Sequence, residues 1–146
     1  MDLETLRLAV YHQLATHGTA PGVAELAGVI DATEADVVRG LRVLAEGRHW
    51  ALDEDGTTVV LAHPFATIPL GFSVMGARTL WWGGCAWDSF AIPHLVEAEP
   101  AVLVATTCPG CGRALAWTVG RDAPPDGEEL AHFLVPVAHV WDDVVH

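Results

Sequence analysis

An α+β fold is the class this sequence predicts: a winged-helix-like three-helix lobe over residues 1–64, then a mixed β-sheet lobe with short helices over residues 65–146. Three observations predict it. Apolar residues recur at helical spacing up to about residue 46, an acidic turn with strand-like flanks follows, and the remainder changes to short apolar runs broken by Gly and Pro. With 51% hydrophobic residues in 146, the chain can bury a core without help.

Leu3, Leu6, Val10 and Leu14 stand three and four apart, which predicts a helix ending before Gly18. Thr19-Ala-Pro-Gly is a turn, and Val23, Leu26, Ala27 and Ile30 predict a short second helix. Thr33 with Asp36 has the form of a capping-box start, after which Val37, Leu41, Leu44 and Ala45 give a third stripe stopping near Gly47. His49–Leu52 and Thr57–Leu61 then read as strands around the turn Asp53-Glu-Asp-Gly56. Beyond Pro64 and Pro69, strands are expected at Phe72–Met75, Thr79–Trp82, Ala101–Thr107, Ala114–Val119 and His132–Val137, with a short helix starting at Cys85. Pro93 should limit that helix to about two turns. Arg121–Glu129 reads as an exposed acidic loop, and His139–His146 as a frayed terminal helix.

Seven basic against nineteen acidic residues give a net charge of −12, which disfavours nucleic-acid phosphates and anionic membrane surfaces. The third helix offers only Arg39 and Arg42, so its outline is read as a lobe covering a site and not as a DNA reader. No apolar run is long enough to span a membrane. Three cysteines and no leader-like segment lead us to expect a cytoplasmic protein whose thiols act as ligands or nucleophiles. Oligomeric state is not legible.

The chemistry concentrates in Arg78-Thr-Leu-Trp-Trp-Gly-Gly-Cys85-Ala-Trp-Asp88-Ser-Phe-Ala-Ile-Pro93-His-Leu. If the chain turns helical at Cys85, Cys85 and Asp88 share a face and can address one ligand. A thiol in the first turn feels the positive end of the helix dipole, which favours thiolate. Trp81, Trp82, Trp87 and Phe90 crowd the stretch; most belong to the core, and Trp82 and Trp87, with His94 nearby, are expected to line an apolar substrate pocket. Such a pocket would raise the Asp88 carboxyl by desolvation, as a proton donor requires. Cys108-Pro-Gly-Cys111-Gly forms half of a zinc-knuckle motif, and Cys85, Asp88, His132 or His139 could complete a metal site. A thioredoxin-like role is disfavoured because no βαβ unit flanks the pair. His139, Asp143 and His146 have metal-ligand spacing, for which a solvated terminal face is the simpler explanation. His12, His17, His49 and His63 have no motif around them.

The run from Gly71 to Val96, with its Leu-Trp-Trp-Gly-Gly-Cys-Ala-Trp-Asp-Ser-Phe-Ala-Ile-Pro core, resembles the alkylmercury (organomercurial) lyase family. The resemblance implies an enzyme that cleaves carbon–mercury bonds without a cofactor, with Cys85 as the metal-attacking thiol and Asp88 as the proton-handling carboxylate. It also implies a second mercury-binding cysteine just before the last strand, where this chain reads Asp126-Gly-Glu-Glu-Leu130. Cys108 and Cys111 are the available substitutes. Two other functions fit the same residues: a soft-metal protein holding zinc, copper or mercury through Cys85, Asp88, Cys108 and Cys111 without turnover, or a relative recruited to other proton-transfer or lyase chemistry in a biosynthetic pathway. In each reading the partner is a small organometallic or apolar molecule, or a metal ion.

Overall fold

In the computed structural model, which describes residues 1–133, 135–139, 141 and 142, three helices lead into a seven-stranded sheet. The helices are α1 (Leu3–His17), α2 (Val23–Val29) and α3 (Glu34–Glu46). Asp2 caps α1 by accepting from the amides of Glu4 and Thr5, and Thr33 caps α3 by accepting from Asp36. Leu6, Val10, Leu14, Leu26, Val37, Leu41 and Leu44 are buried, so the apolar stripes face one another as their spacing requires. Gly18 ends α1 at φ 72°, donating to Leu14 O, and a β-carbon there would run into the carbonyl oxygen of Leu80.

The strands are β1 (Ala51–Leu52), β2 (Val59–Ala62), β3 (Phe65–Ala66), β4 (Phe72–Met75), β5 (Leu80–Gly83), β6 (Ala101–Thr107) and β7 (Ala114–Gly120). They lie in the order β1-β2-β3-β5-β4-β6-β7, and every neighbouring pair is antiparallel. The α+β class therefore holds, with an antiparallel sheet in place of the mixed one expected. Strand β2 begins two residues later than its sequence suggests because Thr57 and Thr58 donate their amides to Asp53 Oδ1, at 2.9 and 3.0 Å, extending the acidic turn. Arg42 of α3 donates to the carbonyls of Asp55 and Gly56 in that turn, and Arg39 pairs with Asp36.

Helix α4 (Ala86–Leu95) continues past Pro93, contrary to the two-turn limit. Proline removes one donor, but the amide of Val96 still reaches Ile92 O at 2.9 Å. The Arg121 guanidinium donates to the carbonyls of Pro93 and Val96, at 2.6 and 2.8 Å, and so satisfies the end of the helix. The strand expected at His132–Val137 does not form among the described residues; a single 3₁₀ turn, Val137–His139, follows Pro136. Proline has no amide to donate to a ladder, and residues 125–127 and 129–133 are occupied in lining a cleft. Of the terminal His139, Asp143 and His146 set, Asp143 and His146 lie outside the described residues; His139 faces Asp142 at 2.9 Å.

Val74, Trp81, Val102, Val104 and Val119 share the inner face of the sheet and join the helix stripes in one core. Trp81 Nε1 donates to Leu14 O at 2.9 Å, tying sheet to helix α1. Met75, Leu80 and Leu103 alternate onto the outer face and are exposed.

Candidate active site

The sharp turn from β5 into α4 sets the site. Gly83 and Gly84 allow it because a β-carbon at Gly83 would overlap the Ser89 hydroxyl, and one at Gly84 would stand 2.5 Å from Asp88 Oδ2. Cys85 is the N-cap residue of α4, in extended backbone, and not part of its first turn. Its carbonyl accepts from the Ser89 hydroxyl at 2.7 Å and the Ser89 amide at 3.0 Å. The expected tilt toward thiolate is reversed. Burial pushes the Cys85 thiol above its ordinary range, and the Asp88 carboxylate adds to that rise, against the lowering effect of the amides of Asp88 and Trp87.

Asp88 is only 5% exposed. Its partner is a residue the sequence did not single out: His63 Nδ1–H donates to Oδ1 at 3.1 Å and Oδ2 at 3.0 Å. Hydrogen bonding to Asp88 raises the His63 pKa, burial opposes it, and the carboxylate charge adds to the rise. The edge of the Trp141 ring packs against the imidazole at 5.5 Å between centroids. His63 lies 25 positions before Asp88, outside any local motif. The only sequence signal was its place directly ahead of Pro64 at the change in composition.

A cleft of about 740 Å³ opens beside α4, lined by Cys85, Trp87, Phe90, Cys108 and Trp117 among others. Cys85 and Cys108, from distant parts of the sequence, thus face one space. Asp88 is not in its wall but buried behind the thiol. Trp87 lines the cleft while remaining 77% exposed. Trp82 does not line it: as the neighbour of inward-facing Trp81, it falls on the other face of β5. His94 lies instead beside a separate hollow of about 240 Å³ with Phe90 and Arg121, because it projects from the far end of α4. Residues 125–127 and 129–133 also line the cleft, so most of the segment Asp126–Leu130 shares it with Cys85. This segment is held by Arg121 just before it and by an exposed Arg113–Glu129 ion pair of 3.2 Å.

At the tip of the β6–β7 hairpin, the Cys108 sulfur accepts from the amides of Cys111 and Gly110, which lower its pKa. Gly112, at φ 73°, closes the turn by donating to Cys108 O at 2.8 Å. Cys111 is exposed and not among the residues lining the cleft. The four-ligand set of Cys85, Asp88, Cys108 and Cys111 is not assembled: among the described residues, no three His, Cys, Asp or Glu side chains gather in a metal-holding group. Cys111 hydrogen-bonds to Cys108 at the hairpin tip without lining the cleft, and Asp88 faces His63. No helix among the described residues is long and apolar enough to cross a membrane.

Comparison with known proteins agrees with this architecture. No curated protein sequence matches the chain. Among solved structures, the mercury-bound form of MerB2 superposes with a TM-score of 0.57 at 16% identity, over 85% of this chain and 66% of that one. This likeness bears on the fold, and the chain spans slightly less than two thirds of that relative. The alkylmercury lyase family model matches residues 65–146, more than half of the sequence and the whole of the stretch carrying Cys85, Asp88 and Cys108. The chain belongs to the alkylmercury lyase family.

Proposed function

We propose that this protein cleaves the carbon–mercury bond of an organomercurial cation, with Cys85 as metal-binding thiol, Asp88 as proton carrier and Cys108 as second thiol. The observation that carries this reading is the shared cleft of Cys85 and Cys108 with Asp88 packed behind Cys85. A protonated thiol beside a carboxylate is the starting state such a reaction needs. As sulfur bonds to mercury, the thiol proton passes to the Asp88 carboxylate. The carboxyl then returns that proton to the mercury-bound carbon, whose bonding pair leaves the metal as the C–H bond forms. Mercury stays on Cys85, and the Cys108 thiolate completes a two-sulfur environment suited to a soft ion. Phe90, Trp87 and Trp117 offer apolar surface to the organic group.

No resident cofactor takes part in this scheme, and mercury enters as substrate. The chemistry is assigned to residues 65–146, with residues 1–64 as a supporting lobe that contributes His63. Three thiols that must stay reduced fit a cytoplasmic setting. The amides that lower the Cys108 pKa favour a second reading, a soft-metal holder without turnover.

One assay separates them. Reduced, metal-stripped protein is mixed with phenylmercury and excess small thiol, and benzene and bound mercury are followed together. Catalytic benzene release is expected, lost in Cys85→Ser and Asp88→Asn and reduced about tenfold or more in Cys108→Ser. Stoichiometric mercury with no benzene from the unaltered protein would overturn the lyase reading in favour of the holder.

A further inference from the structure

We infer that His63 is a positioning residue for Asp88, gripping both carboxylate oxygens from the β2–β3 turn so that the carboxyl is aimed at the Cys85 thiol. This inference rests on the lyase reading for its catalytic consequence, though not for its geometry. A carboxyl group buried to 5% exposure needs hydrogen-bond partners, and His63 Nδ1 lies 3.1 and 3.0 Å from its two oxygens. The grip comes from a different element than α4, so it fixes the side chain against rotation about its own helix.

The surrounding backbone is arranged to hold the two groups together. Strand β3 pairs with β5 so that Phe65 lies opposite Gly83, and the amide of Gly84 donates to Pro64 O at 3.4 Å. The residues next to His63 are thereby joined to those just before Cys85. Gly84, lacking a β-carbon, leaves the space that Asp88 Oδ2 occupies, and Leu61 closes it from the other side. The Trp141 ring edge holds the imidazole from outside.

The test compares His63→Ala and His63→Asn in the phenylmercury assay. The Asn side-chain nitrogen occupies nearly the position of Nδ1 and donates a hydrogen bond without carrying a proton in turnover. We expect His63→Ala to lower kcat about tenfold or more with KM within about twofold, and His63→Asn to recover most of the loss. In the Asp88→Asn background, where benzene release is lost, the readout is the rate of iodoacetamide alkylation at Cys85, which His63→Ala should leave unchanged. Unchanged kcat in His63→Ala, or an equal fractional change in alkylation with and without Asp88, overturns the inference. Thermal melts of each variant identify a folding defect, and His63→Asn remains the informative protein if His63→Ala is unfolded.

If the unaltered protein releases no benzene, the lyase reading fails but positioning is still tested. The rate of iodoacetamide alkylation at Cys85, read by peptide mass spectrometry, should change about threefold or more on His63→Ala when Asp88 is present and not in Asp88→Asn. An unchanged rate would then overturn positioning itself.

Discussion

Cys85 and Cys108 carry the same functional group in opposite surroundings. Burial and a neighbouring carboxylate hold the first as a thiol, whereas two backbone amides favour the second as thiolate. At pH 8, iodoacetamide should therefore label Cys108 before Cys85, and peptide-resolved kinetics would check the order. His63 makes a linked prediction. Its pKa is raised in the folded protein, so its stabilising contribution is complete below the ordinary histidine value and is lost as pH rises through the raised one. Tyr11 and Cys85 are the other titratable groups that feel the Asp88 charge, and both titrate on the alkaline side. Melting temperature between pH 6 and 9 should fall more steeply in the unaltered protein than in His63→Asn. At this scale the sequence made local neighbours legible. Cys85 and Asp88, three apart, were singled out by spacing and by family resemblance, and they lie together in the fold. His63 did not, because only the pairing of β3 with β5 brings it to α4. Trp82 was misplaced for a simpler reason: residues alternate across a strand, so the neighbour of core-facing Trp81 turns to the other face of the sheet.

Helix α4 and the glycine pair before it form the element on which the site depends. Gly83→Ala would force a β-carbon into the Ser89 hydroxyl, displacing the bond that Ser89 donates to Cys85 O. A loss of about 1–3 kcal/mol is expected from such overpacking, with thiol alignment lost in parallel, and chemical denaturation beside mercury uptake would measure both. The three amino-terminal helices and strands β4, β6 and β7 were readable from periodicity because each buries a regular stripe or face. Strand β3 has two residues, too few for any pattern, and exists because β2 and β5 offer it partners on both sides. The end of α4 was misjudged because Arg121, 28 positions after Pro93, donates to the carbonyls left open at the end of the helix. The final strand was expected from apolar content alone, which does not distinguish a strand from a stretch lining a cleft.

Across the whole molecule, the helices and the sheet share their buried surface, with Trp81 1% exposed and bonded to Leu14 O. Residues 65–146 alone would keep α4 on the sheet but lose the helix stripes that complete the core, and we expect that fragment to melt at a lower temperature than the whole chain by circular dichroism. Trp81→Phe should cost about 1–3 kcal/mol through lost volume and a lost bond, lowering one common transition seen by helix and tryptophan signals alike. The α+β class was legible at this scale, but the strand order was not, since β5 and β4 exchange places relative to the chain. The segment along the cleft follows a similar long-range logic. Arg121 fastens the chain just before it to the carbonyls of Pro93 and Val96 in partly buried bonds, whereas Glu129 meets Arg113 in an exposed pair worth little in water. The weaker fastening lies toward the hairpin that carries Cys108 and Cys111, so the part of the cleft wall held least firmly is the one with sulfur beside it.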